Sequence, residues 1–333
     1  LASMPSKVAP GDDIVGEAFT PQAYKTPFSA ERVRGIAPQQ IQLADGRQLE
    51  YFLDGDPSKP AVFLIHGQWG RGNYWLGPPR DDVFMVCPTR PNYFGSTPHP
   101  GNNYATFADD VRQLADHLKI SSFHVLGASS GGPYALAIKA SLNERVGKCV
   151  LISSDTEKSK RSGELMCCAP GCCCACCLPC CIESIMAPMV AGMLDPEKMW
   201  AMMQKGPAKS LGITQAELDG WLIMGEERSK HATAIIQEAY TGKNGAKGAT
   251  ADFRLEAKAW AGSYVAALAE IDDVEMWHGD EDKTVPFSAA LNNKARVPKA
   301  TLHKVNGMGH ELGVFLLEAR LDELAAAPLT MER

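Results

Sequence analysis

The 333-residue sequence has no cluster of basic residues, and it has little cysteine outside one short segment. Its formal net charge is −6, which argues against nucleic acid as a main partner. Nine of the eleven cysteines fall between Cys167 and Cys181, leaving only Cys87 and Cys149 elsewhere. This distribution does not resemble the disulfide framework of a secreted protein and favours a reducing, cytoplasmic compartment.

Two further absences narrow the function classes. Residues 1–30 contain no apolar run of the signal-peptide type, although the chain does not begin with methionine and an upstream targeting signal stays open. Outside the cysteine-rich segment, no group of His, Asp and Glu residues has the spacing of metal ligands. We therefore expect chemistry that needs neither a metal nor another cofactor.

Short apolar runs alternate with helical patterns, and 45% of the residues are apolar, enough for a large core. A hairpin is predicted between residues 41 and 53, where Asp45-Gly46 supplies the turn. Buried strands are predicted at residues 61–65, 83–87, 123–126, 146–153, 274–278 and 301–305. Strands that alternate with helices at this spacing predict a mainly parallel sheet flanked by helices.

The same pattern predicts the domain organisation. Residues 1–35 are polar and proline-containing, and they predict a loose N-terminal arm. Residues 36–155 and 259–330 carry the strand pattern of one α/β core. Residues 156–258 show no buried strand and predict a helical cap, with a cysteine-rich insert at residues 165–182.

A Gly-x-Ser-x-Gly motif, formed by Gly127, Ser129 and Gly131, follows the predicted strand at residues 123–126. A sharp turn from strand to helix around a serine exposes its hydroxyl, and the flanking residues must be small because the two backbones approach closely. Ser129 is therefore a candidate nucleophile.

A nucleophilic serine needs a base, and the base needs a carboxylate to orient it. Asp282 and His310 each follow a late predicted strand, and loops at the carboxyl ends of parallel strands share one edge of the sheet. The order Ser129, Asp282, His310 is therefore a candidate triad. Asp280 and Glu281 compete for the role of the acid, as does Asp155 after an earlier strand.

Five pieces in this order resemble the α/β-hydrolase superfamily. They are His66-Gly67-x-x-Gly70, Arg90-Pro91-Asn92-Tyr93, the segment from Gly127 to Ala137, Gly279-x-x-Asp282-x-x-Val285-Pro286, and Gly309-His310. The resemblance covers residues 38–327 and implies the α/β-hydrolase fold with a cap insertion. Phe94 departs from the pattern, because glycine is common there in the family.

The resemblance also implies the role of each site residue. Ser129 would be the nucleophile, His310 the general base and Asp282 its orienting carboxylate. The backbone N–H groups of Gln68 and Ser130 would form the oxyanion hole, and His66 and Gly67 would shape its loop.

A serine at this position implies acyl transfer, since relatives that open epoxides or displace halide carry an aspartate there. We expect a serine esterase-like hydrolase that acts on a small or medium apolar acyl substrate and forms an acyl-enzyme. The choice between ester, thioester, lactone and amide stays open. The alternative is a ligand receptor that kept the hydrolase fold and has little or no turnover.

The cysteine-rich insert carries no charge from Leu165 to Ile182. Adjacent cysteines in an apolar loop suit S-acylation, which would attach the cap to a membrane. A thiolate metal cluster, a disulfide-laced loop and an apolar insertion with no chemical role are the alternatives.

Overall fold

The computed structural model describes residues 14–18, 27–158, 191–211 and 213–329. The cysteine-rich insert, and with it the four hypotheses about its chemistry, lies outside these residues. Cys87 and Cys149 lie inside them, and both are buried free thiols.

Nine strands form one sheet among the described residues, in the spatial order β1-β9-β8-β7-β6-β4-β5-β3-β2. The strands are β1 (Ile14–Glu17), β2 (Gln39–Gln42), β3 (Gln48–Gly55), β4 (Ala61–Ile65), β5 (Phe84–Pro88), β6 (Phe123–Ala128), β7 (Val146–Ile152), β8 (Val274–Gly279) and β9 (Thr301–Val305). Only the pairs β2–β3 and β3–β5 are antiparallel; every other pair is parallel. The predicted mainly parallel sheet is confirmed.

The helices of the described residues are α1 (Ala30–Gly35), α2 (Tyr104–His117), α3 (Gly132–Ser141), α4 (Pro196–Lys205), α5 (Ala208–Leu211), α6 (Gln215–Met224), α7 (Glu226–Thr241), α8 (Lys247–Glu256), α9 (Tyr264–Ala267), α10 (Phe287–Arg296) and α11 (Leu312–Ala326). Successive side chains of a strand point to opposite faces, so the buried strands contribute side chains to two cores, one on each face of the sheet. Helices α2 and α3 pack on one core, and α1 and α11 pack on the other. In β4, for example, Phe63 joins the first core and Leu64 the second.

The helical region between β7 and β8 differs in detail from the sequence pattern. The sequence pattern predicts one helix over residues 214–230, with a capping box formed by Thr214 and Glu217. Instead, two helices meet at Gly225, whose φ of 82° breaks the helical path. The capping box at Thr214 and Glu217 is confirmed, with each side chain bonded to the backbone N–H of the other residue.

The first 35 residues contain two ordered elements that the sequence did not predict. Strand β1 pairs in parallel with β9, and α1 packs its buried Ala30 and Val33 on the second core. The partner strand lies at the other end of the chain, so nothing local to β1 indicates the pairing. The loose arm expected here is therefore wrong for these two stretches.

Among the described residues, every helix is too short or too polar to cross a bilayer.

Candidate active site

Strand β6 ends at Ala128, and Ser129 begins a 3₁₀ turn that leads into α3. Ser129 has a φ of 52°, a left-handed conformation that is strained for a residue with a side chain. The turn is crowded: a Cβ atom on Gly127 would lie 2.5 Å from the carbonyl oxygen of Gly131. A Cβ atom on Gly131 would lie 2.4 Å from the carbonyl oxygen of Ile65. The motif therefore adopts the strained strand-to-helix turn that its glycines indicated.

Ser129, His310 and Asp282 form one line of hydrogen bonds. His310 Nε2 lies 3.0 Å from Ser129 Oγ, and His310 Nδ1 lies 2.8 Å from Asp282 Oδ2. A carboxylate only accepts, so Nδ1 carries the ring proton of the neutral imidazole and Nε2 is the ring atom that can accept the serine proton. The structure thus brings together the three residues that the sequence selected from separate loops.

The three competing carboxylates have other positions. Asp280 accepts a hydrogen bond from the Gly307 backbone N–H at 2.7 Å and pairs with Lys304 at 3.1 Å. Glu281 is exposed to solvent. Asp155 is buried, and its Oδ1 accepts from the backbone N–H of Thr156 at 2.8 Å. Of the four candidates, Asp282 is the one bonded to His310.

Asp282 is buried, and its carboxylate accepts hydrogen bonds from His310 and from the Val285 backbone. The backbone N–H of Val285 donates to its Oδ1 at 2.7 Å, and His278 Nε2 lies 3.6 Å from Oδ2. Burial acts to raise the pKa of Asp282, but interactions with His310, with His278 and with the Val285 backbone N–H together leave that pKa below its ordinary value. The carboxylate is therefore held ionised beside the imidazole.

The loop after β4 lies directly against the serine. A Cβ atom on Gly67 would come within 3.0 Å of Ser129 Cβ, so glycine is what allows this approach. His66 is fully buried, and its Nε2 accepts from the backbone N–H of Arg90 at 2.9 Å. Burial, and next the charge of Arg90, hold the pKa of His66 well below its ordinary value, so this ring stays neutral.

A cavity of about 190 Å³ opens beside Ser129 and is lined by Gly67, Gln68 and His310. Its walls are aromatic and aliphatic, with side chains from the core (Trp69, Tyr74, Trp75, Ile152, Val314) and from the cap (Trp221, Met224, Ile236). The volume is below the roughly 300–1,000 Å³ of pockets that take drug-sized ligands. The cavity suits a small apolar group.

Glu311, next to His310, also lines this cavity. Its Oε2 atom is buried without a hydrogen-bond partner, and burial raises the pKa of Glu311 to about 8. The nearby carboxylate of Glu217 adds to the shift, and His310 opposes it. No short sequence pattern singles out Glu311, because its surroundings come from the packing of helix α6 against the His310 loop.

Phe94 has a φ of 40°. Glycine adopts this left-handed conformation more readily than a residue with a side chain. Its ring lies under the guanidinium of Arg71, with the carbon of that group 4.9 Å from the ring centre.

Within the described residues, no three His, Cys, Asp or Glu side chains come together as a metal site.

Residues 62–327 match the sequence profile of the alpha/beta hydrolase family. The chain is 29% identical over 119 residues to the uncharacterized hydrolase YcgS of Bacillus subtilis (strain 168), which covers 34% of the chain and 40% of that relative. It is 30% identical over 145 residues to the dihydrolipoyllysine-residue acetyltransferase component of the acetoin cleaving system of Pseudomonas putida, which covers 40% of the chain and 38% of that relative. The chain thus spans about two fifths of the length of these curated relatives.

The structure is also similar to that of an alpha/beta hydrolase fold protein from Nakamurella multipartita. The TM-score is 0.59 at 17% sequence identity, and the likeness covers 87% of this chain and 99% of the other. At this identity the likeness is one of fold.

Proposed function

Because the chain belongs to the alpha/beta hydrolase family, we propose that it is a serine hydrolase that cleaves an ester-type acyl bond of a small or medium apolar substrate. Membership of this family supports a hydrolase, and the proposal adds the nucleophile, the bond and the substrate. The observation that carries it is the pair of hydrogen bonds of His310: Nε2 accepts from the Ser129 hydroxyl at 3.0 Å, and Nδ1 donates to Asp282 at 2.8 Å.

The chemistry follows from the direction of these bonds. His310 takes the Ser129 proton at Nε2 as Oγ attacks the acyl carbon, and Asp282 stabilises the imidazolium that forms. The backbone N–H groups of Gln68 and Ser130 would stabilise the negative oxygen of the tetrahedral intermediate. His310 then protonates the leaving alcohol. In the second half of the reaction it deprotonates the water that hydrolyses the acyl-enzyme.

The cavity supports an apolar acyl group of limited size. Its walls carry aromatic and aliphatic side chains, and its volume is about 190 Å³. We therefore expect p-nitrophenyl esters of short acids, such as the butyrate, to be better substrates than esters of long-chain acids.

Fluorophosphonate labelling tests the nucleophile, because the probe reacts with an activated serine. We expect the wild type to be labelled and Ser129→Ala to be unlabelled. Ser154→Ala is the matched control, since Ser154 is a buried serine whose Oγ bonds the carbonyl oxygen of Asp155 and not His310. Equal labelling of the wild type and Ser129→Ala would refute the assignment.

Turnover separates the hydrolase from the receptor alternative. A hydrolase releases many equivalents of p-nitrophenol per protein, whereas a receptor that keeps the triad releases at most one equivalent slowly. A stoichiometric burst with no steady state would favour the receptor.

A further inference from the structure

The carbonyl oxygen of Gly67 accepts three hydrogen bonds. The donors are Arg90 Nη2 at 2.8 Å, the backbone N–H of Gly70 at 3.2 Å and His66 Nδ1 at 2.8 Å. The ring proton of His66 is on Nδ1, since Nε2 accepts from the backbone N–H of Arg90. One carbonyl oxygen is thus held from three directions.

That carbonyl belongs to the same peptide unit as the Gln68 N–H. The unit is planar, so holding the Gly67 oxygen also sets the direction of the Gln68 N–H. A hydrogen bond to the carbonyl, here from a cation, polarises the peptide and strengthens its N–H as a donor. The hydrogen bonds to the Gly67 carbonyl therefore set the direction of the proposed oxyanion donor, the Gln68 N–H.

Arg90 is itself held by the cap. Its side chain is 1% exposed and forms a fork with the carboxylate of Asp252 in α8, with Nη1–Oδ1 and Nη2–Oδ2 distances of 2.6 and 2.9 Å. The Tyr93 hydroxyl donates a hydrogen bond to the same carboxylate at 2.6 Å. A guanidinium this deeply buried requires a charged partner, so Asp252 is what keeps Arg90 against the Gly67 carbonyl.

Cap helices also contact the oxyanion loop, which is the segment of residues 66–70 after β4. Gln68 Nε2 donates to the carbonyl oxygen of Ala249 at 3.3 Å. A Cβ atom on Gly248 would lie 2.4 Å from the Tyr93 ring, so this glycine allows α8 to approach Tyr93 closely. Trp69 stacks on Tyr240 of α7, with ring centres 4.1 Å apart. Helices α7 and α8 of the cap thus both contact the oxyanion loop.

We propose that Arg90 and Asp252 are positioning residues that orient the Gln68 N–H. Through them, the packing of cap helix α8 on the core would affect oxyanion stabilisation. The proposal rests on the proposed function, because it needs an oxyanion to form beside Ser129. It assigns the cap a role in the chemical step in addition to its role in lining the cavity.

Steady-state hydrolysis of p-nitrophenyl butyrate tests the proposal with Asp252→Asn, which removes the charge and keeps the shape. Loss of a whole oxyanion donor costs about 10²–10³-fold in kcat. When the Gln68 N–H is misoriented but still present, we expect kcat to fall by on the order of 10–100-fold. We expect KM to change less than about threefold, because the acyl group binds elsewhere in the cavity.

Asp110→Asn is the matched control. Asp110 is as buried as Asp252 and also forms a fork with an arginine, Arg47, at 2.6 and 2.9 Å. That pair joins α2 to the turn between β2 and β3 and bonds no residue of the oxyanion loop. We expect Asp110→Asn to lower the melting temperature as Asp252→Asn does and to keep kcat within about twofold of the wild type.

The double variant Arg90→Met/Asp252→Leu covers the case in which Asp252→Asn does not fold. Apolar replacement of both members of a buried ion pair often preserves stability, yet here it removes the donor to Gly67. We expect a folded protein whose kcat is 10–100-fold lower. Its affinity for a trifluoromethyl ketone, which forms a tetrahedral adduct with serine, should fall by the same factor while KM stays unchanged.

Full kcat in this folded double variant would overturn the positioning proposal. A loss of kcat in Asp110→Asn equal to that in Asp252→Asn would do the same, because both losses would then follow from stability alone. Ser129→Ala separates failure of the positioning proposal from failure of the proposed function. If Ser129→Ala retains hydrolysis, the proposed function fails as well. If it is inactive while the double variant keeps full kcat, the positioning proposal alone fails.

Discussion

At the residue scale, neighbouring carboxylates in one loop differ sharply in their surroundings. Asp282 is buried between His310 and the Val285 backbone N–H, whereas Asp280, two residues away, bonds the Gly307 backbone at the surface. The same chemical group can thus bond the imidazole beside Ser129 or join two loops, depending on which way the backbone points it.

We expect Asp282→Asn to lower kcat on the order of 10³–10⁴-fold, because an amide cannot hold the imidazole in the required tautomer or stabilise its cation. The matched variant Asp280→Asn should change kcat less than about threefold. Steady-state kinetics with p-nitrophenyl butyrate measures both. Equal losses in the two variants would contradict the assignment of the acid.

Glu311 makes stability depend on pH. Its pKa is raised to about 8 in the folded protein, so the folded state keeps a proton that the unfolded state releases above its ordinary pKa of 4.5. The free energy of unfolding should therefore fall as the pH rises from about 5 to about 8, with no further loss from this group above that range.

Glu311→Gln removes this titration and keeps the shape of the side chain. Urea unfolding at pH 5 and pH 8 should show a smaller loss of stability in the variant, by on the order of 2 kcal/mol after discount for the partial exposure of the residue. The same pH dependence in both proteins would show that Glu311 is not the group responsible.

At the scale of elements, the turn from β6 to α3 depends on backbones that nearly touch. A Cβ atom on Gly131 would lie 2.4 Å from the carbonyl oxygen of Ile65 and 2.6 Å from that of His66. Both neighbours are backbone atoms, so neither can move aside without shifting β4 or the oxyanion loop. The glycine therefore sets how closely α3 approaches the sheet.

Gly131→Ala should destabilise the protein by about 2–4 kcal/mol and lower kcat, because the clash moves the oxyanion loop away from Ser129. Gly35→Ala in α1 is the control: no atom lies within 4 Å of its added Cβ, and alanine favours helix. We expect Gly35→Ala to leave both the unfolding midpoint in urea and kcat close to those of the wild type. A neutral Gly131→Ala would refute this account of the turn.

At the scale of the whole molecule, the cap carries most of the exposed large apolar side chains of the described residues. Met193, Met202 and Leu222 are 67%, 48% and 37% exposed and belong to the region that contains the cysteine-rich insert in sequence. This composition agrees with the hypothesis that S-acylation of the insert attaches the cap to a membrane.

We expect the wild type, expressed in eukaryotic cells, to carry a hydroxylamine-sensitive label from an alkynyl palmitate analogue. Replacing the nine cysteines of residues 167–181 by serine should abolish the label and shift the protein from the membrane fraction to the soluble one. Hydrolysis of p-nitrophenyl butyrate should persist, because the proposed triad lies in the core. Labelling that survives the replacement would refute the acylation hypothesis.

The sequence alone determined whatever depends on neighbours along the chain. The buried strands, the glycine-flanked turn at Ser129 and the capping box at Thr214 each follow from a few adjacent residues, because strand, turn and cap preferences act over short spans. The order of Ser129, Asp282 and His310, each just after a predicted strand, is sufficient to propose the triad.

Only the tertiary structure decided which distant groups meet. Asp252 and Arg90 lie 162 residues apart, and no local pattern marks either residue as the partner of the other. The pairing of β1 with β9 joins the two ends of the chain, and the burial of Glu311 depends on α6 packing over its loop. Burial and charge pairing act through space, so they depend on the folded arrangement of the whole chain and leave no short sequence signal.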